Sequence, residues 1–424
     1  MTKVSYGWVP GGPPPVGQQH TFAKHDVLRA YLNAYVHTLA SLPQQEVLRL
    51  TLVDGFAGGG IYRHEKTGEL KLGSPFVFLD AIREAEVAIN IGRPKPLKVE
   101  ADYFFIESDI DAFRVLQRTL HDRGQGPRIG CDINLFNGKF QDHARAISAF
   151  IAKKSPRSGR SIFLLDQCGY SEVPGALIRS IFADHPSAEV ILTFAVDALI
   201  NFASDSAKTE GILRNIDLPD PLNGRTFEEI KTSESDFRFY IQSCMYQRLV
   251  QSCGASFFTV FFIRTEGHGD FWLVHLSQHP RARDVMTTVH WSHNNHFIHY
   301  GGAGIDMFHV LGYESARDSD FTGQGDLGFL FDDPAKRASV EALMRELPQF
   351  IFANEDGVSF GELFRSTCNS SPADSAKYKE ALELLVRQKE INIVAPSGAR
   401  RFRASTIENG DLLVPSRQIS IPFD

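Results

Sequence analysis

What most constrains this chain is an alternation. The apolar runs "LTLVD", "ADYFFIES", "IGCDINLF", "SIFLLD" and "EVILTFAV" are separated by "GSPFVFLDAIREAEVAI", "DIDAFRVLQRTLHDR", "DHARAISAFIAKK" and "VPGALIRSIFAD", which carry helical spacing. Near-continuous apolar strands are buried on both faces, and the helices between them supply the cover. The pattern predicts an α/β fold with a mostly parallel sheet. One more helix is expected before the first strand, in "FAKHDVLRAYLNAYVHTLASL". There Val27, Leu28, Tyr31, Leu32, Tyr35 and Leu39 form one apolar stripe. The helix after the first strand is expected to begin at Ser74, with Pro75 at its first position.

The series then changes character. "SFFTVFFIRTEGHGDFWLVHLSQH" reads as two strands joined by a short glycine-containing loop. A parallel series closed by an antiparallel hairpin is the layout of the class I methyltransferase variant of the Rossmann-like fold. Beyond about Gly301 come three amphipathic helices, "DPAKRASVEALMRELPQFIF", "SFGELFRSTC" and "SPADSAKYKEALELLVRQKEI". The stretch "INIVAPSGARRFRAS" comes next as a hairpin turning at Pro396–Ser397–Gly398, a winged-helix pattern. The expected division is a flexible arm over 1–20, a sheet domain over 21–310 and a winged helix over 330–424.

Bulk composition narrows the setting. A net charge of −7 gives no global basic field, so contact with nucleic acid must come from a local patch. The five cysteines are scattered without a CxxC pair, which points to a reducing compartment. The sequence has neither an apolar run long enough for a membrane span nor a secretory h-region at its start, so a cytoplasmic protein is expected.

The first strand runs into "TLVDGFAGGGIY", Thr51–Tyr62. A phosphate-binding P-loop needs Lys-Ser/Thr after its glycines, but Ile61 and Tyr62 come after Gly60. A dinucleotide loop needs a third small residue, and Arg63 stands there. S-adenosylmethionine has no phosphate and suits the loop better. Asp54 would serve its ammonium end through water or backbone, and the glycines would let main chain approach the methionine portion. Glu107, at the end of the second strand, would accept both ribose hydroxyls; its plain alternative is a helix N-cap. Asp142, after the third strand, would meet the adenine amino group or cap the next helix. Asp166, after the fourth, would face the methyl donor. Ligands bind at the carboxyl ends of such strands, which puts all four acids on one rim.

At these residues the chain resembles the three-Cys-motif partner family, TcmP. The likeness rests on "KHDVLRAYLNAY", "LVDGFAGGGIY", "GSPFVFLDAI", "LLDQCGYS" and "VHLSQHPRARDVM", spanning roughly residues 20 to 300. It implies a class I methyltransferase-like domain fused to a winged helix, working beside a radical-SAM-like protein that carries three cysteines. By that resemblance Asp54, Phe56, Ala57, Gly58 and Gly60, with Gly55 among them, form the cofactor loop. Gly73, Ser74 and Pro75 match a family signature without an assigned role. Asp166, Gly169 and Tyr170 match a fourth-strand motif that reads Asp-Pro-aromatic-Gly in relatives, with Gln167 and Cys168 replacing its middle. In amino-methyltransferases that motif holds a flipped base. Asp166 and Tyr170 are the expected acceptor-orienting residues, with Asp166 the better candidate for a base.

Three further groups have weaker claims. Cys168 lacks the preceding proline of cytosine-type nucleophiles and reads as a small hydrophobe. His290, His293, His296 and His299 step by three residues and so drift round a helix; no metal site is assigned to them. Arg400, Arg401 and Arg403, past the wing tip, are candidates for phosphate contact with DNA or RNA, against a solvated hairpin or protein-docking wing. The leading expectation is methyl transfer to a nucleic acid or nucleotide-like acceptor. Its rivals are a catalytically degenerate partner-docking protein and a metal-dependent nuclease or hydrolase.

Overall fold

The structure is a computed structural model. It describes residues 7–166, 172–194, 224–233, 237–265, 268–293, 297–299, 302–305, 329–354 and 356–416, with a few isolated positions between 211 and 222 and at 307. The chain divides into two compact units, Met1–Phe297 and Ile298–Asp424.

The first unit opens with β1 (Val16–Gly17) and α1 (Gln19–Leu39), then β2 (Val47–Asp54), β3 (Ile61–His64), β4 (Leu70–Leu72) and α2 (Ser74–Asn90). It continues through β5 (Lys98–Glu107), α3 (Ile110–Asp122), β6 (Ile133–Asn137), α4 (Phe140–Lys154), β7 (Ser161–Leu165), α5 (Gly175–Asp184) and β8 (Ala188–Phe194). The hairpin β9 (Phe257–Thr265) and β10 (His268–Ser277) comes later. Its main sheet has the order β9-β10-β8-β7-β2-β5-β6. β2, β5, β6, β7 and β8 pair in parallel, whereas β10 lies antiparallel to both β8 and β9. This is the class I methyltransferase arrangement of the doubly wound sheet, as the alternation and hairpin predict.

The chain leaves β2 toward β5 and returns to start β7 on its other side, so the switch point lies between β2 and β7. A crevice for a ligand belongs there, at the carboxyl ends. Leu52, Val53, Phe105, Ile106, Ile162 and Leu165 are buried to within 1% and lock these strands between the helix layers. Each such side chain contributes roughly 1.5–3 kcal/mol relative to exposure.

One insertion interrupts the pattern. The antiparallel hairpin β3–β4 stands between the glycine loop and α2. Gly60 and Gly73 close it: the Gly73 amide donates to the Gly60 carbonyl at 2.9 Å, and a Cβ on Gly73 would lie 3.2 Å from Gly60 main chain. The excursion thus returns to its starting point, and α2 begins beside the loop as though nothing intervened. This gives the signature Gly73-Ser74-Pro75 its structural role.

Within the N-terminal arm, the described residues from 7 onward contact the inserted hairpin. β1 pairs in parallel with β3, and the Arg63 amide donates to the Pro15 carbonyl at 2.9 Å. Trp8 hydrogen-bonds the Ile61 carbonyl at 3.0 Å. Exposed edge amides of the inserted hairpin and an apolar indole with somewhere to pack are what hold the arm.

The second unit contains helices Asp333–Phe352, Phe360–Thr367 and Ser375–Arg387. Strands Val358–Ser359, Leu412–Pro415, Ile391–Val394 and Arg400–Arg401 form an antiparallel sheet in that spatial order. Ser359 and Glu362 make a reciprocal capping box on the second helix. The wing turns at Pro396–Gly398, with Gly398 at φ +85° as a tight turn requires. Leu343, Leu347, Leu363, Leu382 and Leu413 fill the core. Among the described residues no helix is long and apolar enough to cross a membrane.

Candidate functional site

Three strand ends meet at the switch point. Asp54 closes β2 with no solvent exposure; its Oδ1 accepts from the Phe56 amide at 3.1 Å, and its Oδ2 has no partner among the described residues. Burial pushes its carboxyl up to about 7, against the opposing pull of the Ser74 hydroxyl and the Phe56 amide. The loop beyond it is knitted to both flanking strands. Gly55 donates to the Leu164 carbonyl and Ala57 to the Ile106 carbonyl, each at 2.9 Å. Phe56 is half-buried, while Gly58 and Gly60 take the left-handed conformation, at φ +59° and +70°.

Glu107 ends β5 and reaches across to that loop. Its Oε2 accepts the Gly58 amide at 2.8 Å and its Oε1 the Asp109 amide at 2.7 Å. Burial raises its pKa, with the Asp109 and Gly58 amides opposing. The N-cap of α3 is Asp109, whose carboxylate accepts from Asp111 and Ala112. Glu107 therefore does not cap the helix and serves the glycine loop. The Ser108 amide also opposes the shift, and the carboxylate keeps acceptor capacity beyond these amides for a ligand hydroxyl.

Asp142 is exposed in the first turn of α4, whose N-cap is Lys139, so its side chain does not cap that helix. It comes after the edge strand β6, one strand farther from the switch point than Glu107.

Asp166, just past β7, is claimed by other side chains. Lys24 of α1 donates to Oδ1 and Oδ2 at 2.6 and 2.5 Å, and the Thr193 hydroxyl of β8 donates to Oδ1 at 2.5 Å. Burial alone would raise its pKa, but the Lys24 charge and these hydrogen bonds outweigh it and hold the carboxyl below the usual range. A carboxylate so held is a weaker proton acceptor than a free one. Tyr170, with Gln167, Cys168 and Gly169, lies outside the described residues. Beside the ion pair, Leu28, Leu164, Ile191 and Met286 wall a water-sized cavity of about 10 Å³.

Sequence reasoning missed Lys24, Thr193 and Trp8. Lys24 had a signal, since it lies on the same helical stripe as Val27, Leu28 and Tyr31 and so faces inward. His25 is half-buried beside it, and burial first, then the Lys24 charge, lower its pKa to about 4. Trp8 had no signal in the Pro- and Gly-rich arm.

The remaining candidates have other surroundings. His290 is fully buried against the Phe261 ring at 3.7 Å between centroids, and His296 lies outside the described residues. Among the described residues no cluster of three His, Cys, Asp or Glu could hold a metal. On the wing, Arg401 bonds the buried Asp411 at 3.2 Å, which leaves Arg400 and Arg403 turned outward.

Residues 312–398 match the GMT-like wHTH domain model. This match takes in the helices given above for the second unit and the strand leading into the wing. No curated protein sequence matches the chain. Among solved structures, a protein from Legionella pneumophila str. Philadelphia 1 aligns at TM-score 0.32 and 12% identity, covering 62% of this chain and 89% of its own. The O-methyltransferase TomG from Streptomyces achromogenes, in complex with SAM, aligns at 0.26 and 13%, covering 62% and 92%. The plantazolicin methyltransferase BamL, in complex with SAH, aligns at 0.23 and 10%, covering 61% and 90%. These scores are too low to carry residues or an activity across.

Proposed function

We propose that the first unit binds S-adenosylmethionine and transfers its methyl group to a nucleic acid or nucleotide-like acceptor. The observation that carries this reading is Glu107, a carboxylate at a strand end that already holds a glycine-loop amide beside the switch point. Glu107 would accept the ribose hydroxyls with its remaining acceptor capacity. The unpartnered Oδ2 of Asp54 would face the ammonium side, where a cation would favour its ionised form. When bound, the cofactor supplies an electrophilic methyl on a sulfonium, so the protein's part is mostly positioning and exclusion of water. Asp166, kept ionised by Lys24, orients a hydrogen-bond donor on the acceptor without taking its proton; Tyr170 would complete that side.

A three-Cys-motif, radical-SAM-like protein is the proposed partner, on the sequence resemblance alone. DNA or RNA contact is assigned to Arg400 and Arg403, with Arg401 serving the wing's own structure. A cytoplasmic location agrees with the scattered free cysteines.

The Lys24–Asp166 pair also favours a second reading, a degenerate domain that binds the cofactor and docks its partner without catalysis. Calorimetry with S-adenosylmethionine on wild type and Glu107→Ala tests the site: equal affinity would remove Glu107 from it. Methyl transfer from labelled cofactor to RNA, DNA or free nucleotides then separates the enzyme from the docking protein.

A further inference from the structure

The glycines of the cofactor loop already have an occupant. The indole of Trp8 lies so close to Gly58 and Gly59 that a Cβ on either would meet it at 2.7 and 2.3 Å. Its N–H is spent on the Ile61 carbonyl at 3.0 Å, and its ring meets Tyr62 edge-on at 5.4 Å between centroids. The space these glycines keep free of side chains is therefore filled from within the chain. On its other side the same loop presents the Gly58 amide to Glu107, and the buried Asp54 Oδ2 below it has no partner among the described residues. Polar groups are thus set out for a ligand beside a face that an apolar side chain covers.

The segment after Trp8 is built as a strap. β1 runs along β3, Phe22 and Tyr62 are edge-to-face at 6.4 Å, and α1 is fastened through Lys24 to Asp166 at the far side of the switch point. Trp8 itself stands ahead of that strap, near the start of the described residues. It is half-buried and is held to the loop through its hydrogen bond to Ile61 and its ring contacts.

We propose that Trp8 is a gate on the cofactor site: its indole occupies the glycine face in the free protein and is displaced when the methionine end of the cofactor binds. The gate rests on the cofactor reading and adds to it a competition between ligand and arm. Displacement lowers apparent affinity by the population of the open state, a cost that a smaller side chain removes.

The test titrates S-adenosylhomocysteine into wild type, Trp8→Ala and Trp8→Phe by calorimetry, following tryptophan emission in parallel. The gate predicts about tenfold tighter binding to Trp8→Ala, an intermediate value for Trp8→Phe, and a ligand-induced red shift present in wild type and missing from Trp8→Phe. Equal binding by wild type and Trp8→Ala sinks the gate alone. Weaker binding by Trp8→Ala also overturns it, since the indole would then be a wall of the site. Binding by none of the three proteins sinks the cofactor reading itself, and the gate with it.

Discussion

Asp54 and Asp166 stand at the carboxyl ends of neighbouring parallel strands, and Asp54 pairs in register with Leu164, two residues before Asp166. The same residue type acquires opposite electrostatic character within that distance. Asp54 has no cation beside it, so burial outweighs the Ser74 hydroxyl and the Phe56 amide and its pKa rises to about 7. Asp166 has a lysine and a threonine, so its pKa falls. Neither the acid nor the strand decides this; the nearest cation does, and it comes from another helix.

The largest effect expected from this contrast is the pH dependence set by Asp54. Its folded pKa stands above the unfolded value, so its contribution to stability is fully present below about pH 4 and lost as pH rises to about 7. Over roughly three units this is about 4 kcal/mol at most. Urea unfolding of wild type and Asp54→Asn from pH 4 to 8 should show wild type losing stability relative to the variant. A gap independent of pH would mean that Asp54 titrates as an exposed acid.

Next in size is the loss of Lys24. Lys24→Met leaves the Asp166 carboxylate without its cation, at a cost of about 3 kcal/mol for a pair this shielded. The double variant Lys24→Met/Asp166→Leu should recover most of that in the same denaturation assay. If the single variant is as stable as wild type, the ion pair is a surface contact and the contrast with Asp54 disappears.

A third measurement asks whether the Asp54 side is the one that binds. Glu107→Gln keeps acceptor capacity on the loop but loses the charge. It should weaken S-adenosylhomocysteine binding by about tenfold, about 1.4 kcal/mol, with little change in unfolding midpoint. The reverse result, lost stability with unchanged affinity, would make Glu107 a brace for the loop. The last measurement concerns Thr193→Val, which removes one hydrogen bond to an ionised group. It should cost about 1.5 kcal/mol while raising the Asp166 pKa, read by carboxyl NMR.

Much of the site could be read in advance because strand ends are local. Asp54, Glu107 and Asp166 come at the ends of apolar runs whose length and order place them on one rim, and the structure puts them there. The helix start at Ser74 was legible from Ser-Pro chemistry. The hairpin inserted before it was not, because "RHEKTGELKL" is short and polar and its closure depends on Gly60 meeting Gly73. The three wing arginines looked equivalent in a row; only the fold brings Asp411 to Arg401 and separates it from the others.

The order of apolar and helical segments determined the sheet, its antiparallel closing hairpin and the line of acids along its edge. Periodicity and strand polarity act over neighbouring residues, so they are written in the chain. The charge on each acid and the cover over the glycines belong to the tertiary structure. They depend on pairs such as Lys24 with Asp166, 142 residues apart, and Trp8 with Ile61, 53 apart. Local patterning leaves such contacts open, and only the packing of α1 and the arm against the sheet brings them together.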